Sequence, residues 1–161
     1  MTFSWSQELE QGSANAEEKY PYSEGINIHD DFLYFTIKGQ KLLSILNLDT
    51  GAYKSTSTVS GLFEGQPDQV ARIVNNAKSD STLYFCEDGA SMNGVHGRDK
   101  TEQFFTVFES IDHPSETTGL TFSPDGRHMY VSFQYQPGHI FDITREDGFP
   151  LDGPTLDVIY H

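Results

Sequence analysis

Residues 83–97 read LYFCEDGASMNGVHG: a short apolar run, Leu83 to Cys86, that stops abruptly on Glu87, Asp88 and Gly89. Two other stretches begin the same way, LYFTIKG at 33–39 and MYVSFQY at 129–135. Their anchors, Leu33, Leu83 and Met129, recur after 50 and then 46 residues. A short strand pattern precedes each anchor: GINIHD (25–30), VARIVNN (70–76) and GLTFSPDG (119–126). Another follows each: KLLSILNLDTG (41–51), EQFFTVFES (102–110) and GHIFDITREDG (138–148). A repeat of about 40–50 residues built from short strands is the pattern of β-propeller blades. Each unit has three clear strands and room for a fourth. The alternative is an unrepeated sandwich whose strands resemble one another by chance.

The punctuation supports an all-β chain. LDTG, SPDG and REDG separate the strand patterns, and each suits a tight turn because Gly accepts positive φ and Asp bonds its own backbone. Helical periodicity is nearly absent. SQELEQGSANAEEKY (6–20) is the only stretch that suits a helix, of a turn or two, but it is polar almost all round, and residues 1–21 are expected to form an irregular segment. The expected blades are 22–63, 64–111 and 112–161. Three blades do not close a ring, since propellers have about 4–8, so the remaining blades are expected from elsewhere in a larger protein or from another chain.

The chain has 161 residues, the length of one ordinary domain, and 13% aromatic residues with which to build a core. With 24 acidic and 10 basic residues its net charge is −14, which disfavours nucleic acid, because phosphate neutralisation needs clustered Lys and Arg. No stretch approaches the roughly 20 apolar residues of a membrane-spanning helix, so no membrane insertion is expected. The first residues, MTFSWSQELEQGS, lack the basic and apolar regions of a signal peptide. The single cysteine, Cys86, cannot form an internal disulfide and reads as a small buried hydrophobe rather than a metal ligand. The six histidines show no metal-binding spacing, and no nucleophile elbow, phosphate-binding loop or C-x-x-C is present.

The acids fall in a pattern. Glu24 in SEGINI, Asp68 in QPDQVARI and Glu116 in SETTGLTF each stand just ahead of the strand expected to line a central channel. Glu87, at the end of the second strand of the middle unit, extends the set, and Asp88 reads as a turn residue. Carboxylates gathered on one axis raise one another's pKa unless a cation neutralises them, and calcium favours such oxygen-only shells. Each of these acids can equally serve as an acceptor for backbone N–H groups at a turn.

Taken together, SEGINIHDDFLYFT (23–36), QPDQVARI (66–73), LYFCEDG (83–89), SETTGLTFSPDGRHMYVSFQYQPG (115–138) and IFDITREDG (140–148) resemble the C-terminal half of the PhoX-type alkaline phosphatases, a bacterial and algal β-propeller family. The resemblance covers most of Glu24 to Gly148. It implies phosphate-ester hydrolysis in a carboxylate-rich channel holding calcium and, in characterised members, iron. It also implies Glu24, Asp68, Glu87 and Glu116 as metal-site carboxylates, with Glu116 and Glu87 the catalytic candidates. By the same resemblance, a small phosphate ester is the substrate, the compartment is secreted or periplasmic, and further ligands including a thiolate come from outside this chain. The competing expectations are a non-catalytic calcium-binding scaffold and a lactonase-like propeller hydrolase.

Overall fold

The computed structural model describes residues 3–73, 82–135, 137–152, 156–159 and 161. Among the described residues, eleven strands form three antiparallel sheets. The first contains β1 (Ser23–His29), β2 (Phe32–Ile37), β3 (Leu42–Asn47) and β4 (Tyr53–Ser57). The second contains β5 (Gln66–Ala71), β6 (Leu83–Asp88), β7 (Gly94–Arg98) and β8 (Phe104–Glu109). The third contains β9 (Thr117–Phe122), β10 (His128–Phe133) and β11 (His139–Thr144). Each is a meander in which every strand pairs with the next along the chain.

Two apolar layers hold the sheets together, and the period-2 alternation of β6 explains both. Leu83 and Phe85 face the first sheet, where they meet Leu43 and Ile45 along with Phe63, Val70 and Phe104. Tyr84 and Cys86 face the third sheet and join Leu120, Met129, Val131 and Leu151. The middle sheet is therefore covered on both sides, and β6 is buried along nearly its whole length. Of the anchor side chains, Leu33, Leu83, Phe85, Met129 and Val131 are buried, while Phe35 and Phe122 are half-buried.

Three features differ from the sequence expectation. Residues Leu9–Lys19 form a helix, α1, rather than an irregular segment, although none of its residues is buried. Its Ala, Glu, Gln and Lys content supplies helix propensity that an amphipathicity criterion cannot see, with Glu10 in the first turn and Lys19 in the last complementing the helix dipole. The strand β7, GVHGR, was hidden by its two glycines; EQFFTVFES is the fourth strand of its sheet, not the third. The strand expected over VARIVNN starts earlier, at Gln66, and ends at Ala71, while residues 74–76 of that stretch lie outside the described residues.

The first strands β1, β5 and β9 lie next to one another, β1 against β5 and β5 against β9. Each carries a bulge in which two residues face one on its partner: Glu24 and Gly25 opposite Thr36, Asp68 and Gln69 opposite Cys86, Gly119 and Leu120 opposite Val131. Side chains and a glycine stitch these strands together. Thr36 Oγ1 accepts from Gly25 N at 2.8 Å and donates to Asp68 O at 2.7 Å, tying the first sheet to the second. Gln69 Oε1 accepts from Leu120 N at 2.7 Å, tying the second to the third. A Cβ on Gly25 would stand 2.5 Å from Val70 N, so only glycine permits β1 to lie this close to β5.

Candidate functional site

The bulges set the site. A bulge re-aims the side chains around it and bends its strand. Here the bulges on β1 and β5 present Glu24 and Asp68 at the same end of the adjoining strands. Glu116, immediately before β9, joins them, held by Gln134 N donating to its carbonyl at 2.9 Å. One carboxylate oxygen from each of Glu24, Asp68 and Glu116 lies within 4.8 Å of the others. Asp68 is buried, Glu116 half-buried and Glu24 exposed. A cleft of about 440 Å³ opens beside them, lined by Glu24, Gly25, Ile26, Asp68, Gln69 and Thr118.

A lysine stands among the acids. Lys38 Nζ lies 2.8 Å from Asp88 Oδ2, 3.2 Å from Glu24 Oε1, and 3.7 Å from both Asp68 Oδ1 and Glu116 Oε1. Its side chain is 14% exposed. Lys38 opens a one-turn 3-10 segment, Lys38–Gln40, at the end of β2, and its N–H donates to Tyr22 O at 3.0 Å. Lys38 and Asp88 occupy the same place in successive sheets, each two residues beyond the residue that faces the bulge.

The electrostatics follow from crowding. The Glu24 carboxyl is pushed up by its hydrogen bond with Asp68 and then by burial, against the opposing pull of Lys38. Burial raises Asp68, and the neighbouring Glu116 adds to it, while Glu24 and Lys38 act the other way. For Lys38, burial favours the neutral amine, but the bonds to Asp88 and Glu24 and the charges of Asp68 and Glu116 outweigh it and raise its pKa well above the ordinary lysine value.

The structure thus brings Glu24, Asp68 and Glu116 together and does not bring Glu87 to them. Alternation puts Glu87 on the same face of β6 as Phe85, pointing between the first and second sheets. There Glu87 Oε1 accepts from Gly65 N at 2.6 Å, and Oε2 shares a hydrogen bond with His96 Nε2 at 2.9 Å. The His96 ring stacks on Phe63 at 4.3 Å and its Nδ1 shares a hydrogen bond with Thr106 Oγ1 at 3.0 Å. Neither Glu87 nor His96 is exposed to solvent. Cys86 is a buried free thiol pushed up to about 12 by burial, with the Thr117 side chain acting the other way.

Lys38 and Asp88 are the residues that sequence reasoning missed or set aside. The signal was present: superposing LYFTIK on LYFCED places Lys38 on Asp88. No family model matches the chain, and no curated protein matches it.

Proposed function

We propose that the three sheets are blades of a β-propeller and that the chain is part of a metal-dependent phosphomonoesterase of the PhoX type, with Glu24, Asp68 and Glu116 as the metal-holding carboxylates. The observation that carries this reading is the convergence of three acids from the first strands, or the residue just before them, of three successive sheets. The blade assignment draws on the meander order and on the side-by-side packing of β1, β5 and β9. The donor set suits a hard cation. Calcium binds oxygens at about 2.3–2.6 Å, so two ligands of one ion can be up to about 5 Å apart, and the three oxygens here lie within 4.8 Å. Asp68, already buried and crowded by Glu116, gains most from a cation beside it.

A divalent cation bound there would supply polarisation of a phosphoryl oxygen and neutralise developing charge. The chain's own residues do the rest. The cleft beside the acids gives a phosphate ester a place to dock, with Gln69 and Thr118 on its wall. Gln69 is not free to swing, because its side chain is spent on the Leu120 backbone.

The test is hydrolysis of a chromogenic phosphate ester by the natural full-length protein, with calcium and iron supplied. Glu116→Gln should retain the fold and lose most of the turnover, because Gln keeps the shape and one acceptor oxygen but not the charge that holds the metal. Undiminished turnover in the variant returns Glu116 to a structural role. The 161 residues alone are expected to show no turnover.

A second reading rests on a different observation, the 2.8 Å contact between Lys38 and Asp88. In a non-catalytic scaffold the lysine is itself the cation, and the acids serve to lock three sheets at one point. That reading expects neither calcium uptake nor turnover. A lactonase-like hydrolase would share the acidic cleft and is separated by substrate, a lactone against a phosphate ester.

A further inference from the structure

The acids lie where β6 ends, at Asp88; where it begins, at Leu83, the charge is reversed. Val70 faces the first sheet and Ala71 the third, so alternation turns Arg72 to the first sheet, where its guanidinium lies 5.7 Å from the Tyr34 ring centroid. Leu83 faces the same way, and Arg98 is its partner on β7, with the guanidinium 5.8 Å from the Phe104 ring centroid. Ala71 pairs with Tyr84, so the two arginines stand on either side of Leu83, two strand spacings or about 10 Å apart at the backbone. Lys54 of β4 reaches the same place from the first sheet through Glu102. Three of the chain's ten Lys and Arg residues therefore meet here.

Both arginines are more than nine-tenths buried, with Arg72 8% and Arg98 5% exposed. Neither is satisfied. Arg72 Nη1 and Arg98 Nε are the two buried side-chain nitrogens without a hydrogen-bond partner among the described residues. Arg98 Nη2 meets Glu102 Oε2 at 3.0 Å, but Glu102 also takes the Lys54 ammonium. Burial pulls the Arg72 pKa down, with Tyr34 and the charge of Asp30 acting the other way. Buried donors without a partner are rare in native proteins, and an ion is one of the few things that can supply one.

We propose that a small tetrahedral oxyanion, inorganic phosphate or sulfate, bridges Arg72 Nη1 and Arg98 Nε between the first and second sheets. Nη1 carries two N–H groups and Nε one. Three donors from two directions suit the several oxygens of a tetrahedral ion, whereas a carboxylate offers only two. Guanidinium groups pair readily with such oxygens. Arginines this deeply buried exclude the organic part of an ester, which makes the ion a free one. The inference stands apart from the metal-site reading, whose acids lie at the other end of β6.

The test is thermal unfolding of the 161-residue chain in rising phosphate, with ionic strength held constant by chloride. Phosphate at high concentration stabilises proteins generally, so the decisive reading is a rise that saturates in the low-millimolar range, as binding to the folded state requires. Arg72→Met and Arg98→Met keep the stem and remove the guanidinium. Each should weaken the apparent phosphate affinity at least about tenfold, the worth of one charge-assisted hydrogen bond. Arg127→Met, at a side chain 58% exposed, should leave it unchanged. Should the arginine variants not fold, phosphorus NMR decides: the unsubstituted chain should broaden the inorganic phosphate line, and sulfate should reverse this where acetate does not. A saturable rise that persists in either arginine variant overturns the proposal, as does the absence of one in the unsubstituted chain. Acetate acting as well as phosphate overturns the tetrahedral ion.

Discussion

Glu87 and Asp88 are consecutive residues at the end of β6, yet they belong to two different kinds of acid site. Glu87 turns into the space between the first and second sheets, where both its oxygens are used by Gly65 N and His96, and where no water reaches it. Asp88 stays at the strand end, 29% exposed, and shares one ammonium with three other acids. The first arrangement is closed: one acid, one base, every polar atom matched. The second is open: four acids around one cation, with a cleft beside them. A matched pair in a dry interior has little left to offer a ligand, whereas an under-neutralised set at an opening does. The contrast separates a satisfied acid from an under-neutralised set more sharply than sequence position can.

The largest way to break the comparison is to damage the closed pair. Glu87→Ala should destabilise the protein by about 2–6 kcal/mol, because two buried groups, His96 and Gly65 N, are left without a partner at about 1–3 kcal/mol each. Urea unfolding measures it. A loss below about 1 kcal/mol would place Glu87 among the weakly held acids. Next in size is Lys38→Met at the open site. It removes two charge-assisted bonds from a side chain that is mostly buried, an expected loss of about 1.5–3 kcal/mol, greater at low salt because the four acids then face one another unscreened. Adding calcium should recover more stability in this variant than in the unsubstituted chain. The same measurement on Glu116→Gln should show a change of less than about 1 kcal/mol, since its 3.7 Å approach to Lys38 is a field effect and not a bond.

These sizes also mark what could be seen in the sequence. The strands were legible because alternation and turn residues are local: LYF at 33 and at 83 both lie in strands that pair with a preceding one, as their repetition implies. The convergence of Glu24, Asp68 and Glu116 was legible from their repeated placement, but not for the reason given by that placement. Glu24 and Asp68 sit within their strands at bulges, while Glu116 precedes its strand altogether. Bulges depend on pairing between segments, which a single strand pattern does not encode. The fate of Glu87 was hidden for the same reason, because its partner His96 lies on β7, a strand too rich in glycine to be recognised. Lys38 was overlooked because a lysine ending a strand reads as a solvated charge until four acids are placed around it.

The finest distinction between the two sites is their response to acid. Glu24 and Asp68 both have raised pKa values, so between their ordinary range and the raised one the folded chain binds more protons than the unfolded chain. Stability contributed by these two groups therefore rises as the pH falls through that window, opposite to the usual carboxylate in a salt bridge. Lys38 acts at the other end of the scale: its pKa is raised, so its contribution is full below the ordinary lysine value and is lost as the pH climbs through the folded one. Lowering the pH toward the ordinary carboxylate range should thus raise slightly the open cluster's own share of the stability. The share is read as the difference in melting temperature from a Glu24→Gln, Asp68→Asn double variant, which lacks both titrating groups. The effect should grow in Lys38→Met, where nothing opposes the mutual repulsion of the acids, and calcium should suppress it by holding the same oxygens ionised. A share that falls on acidification would mean that Glu24 and Asp68 are held below their ordinary values, as ligands already neutralised by a cation would be.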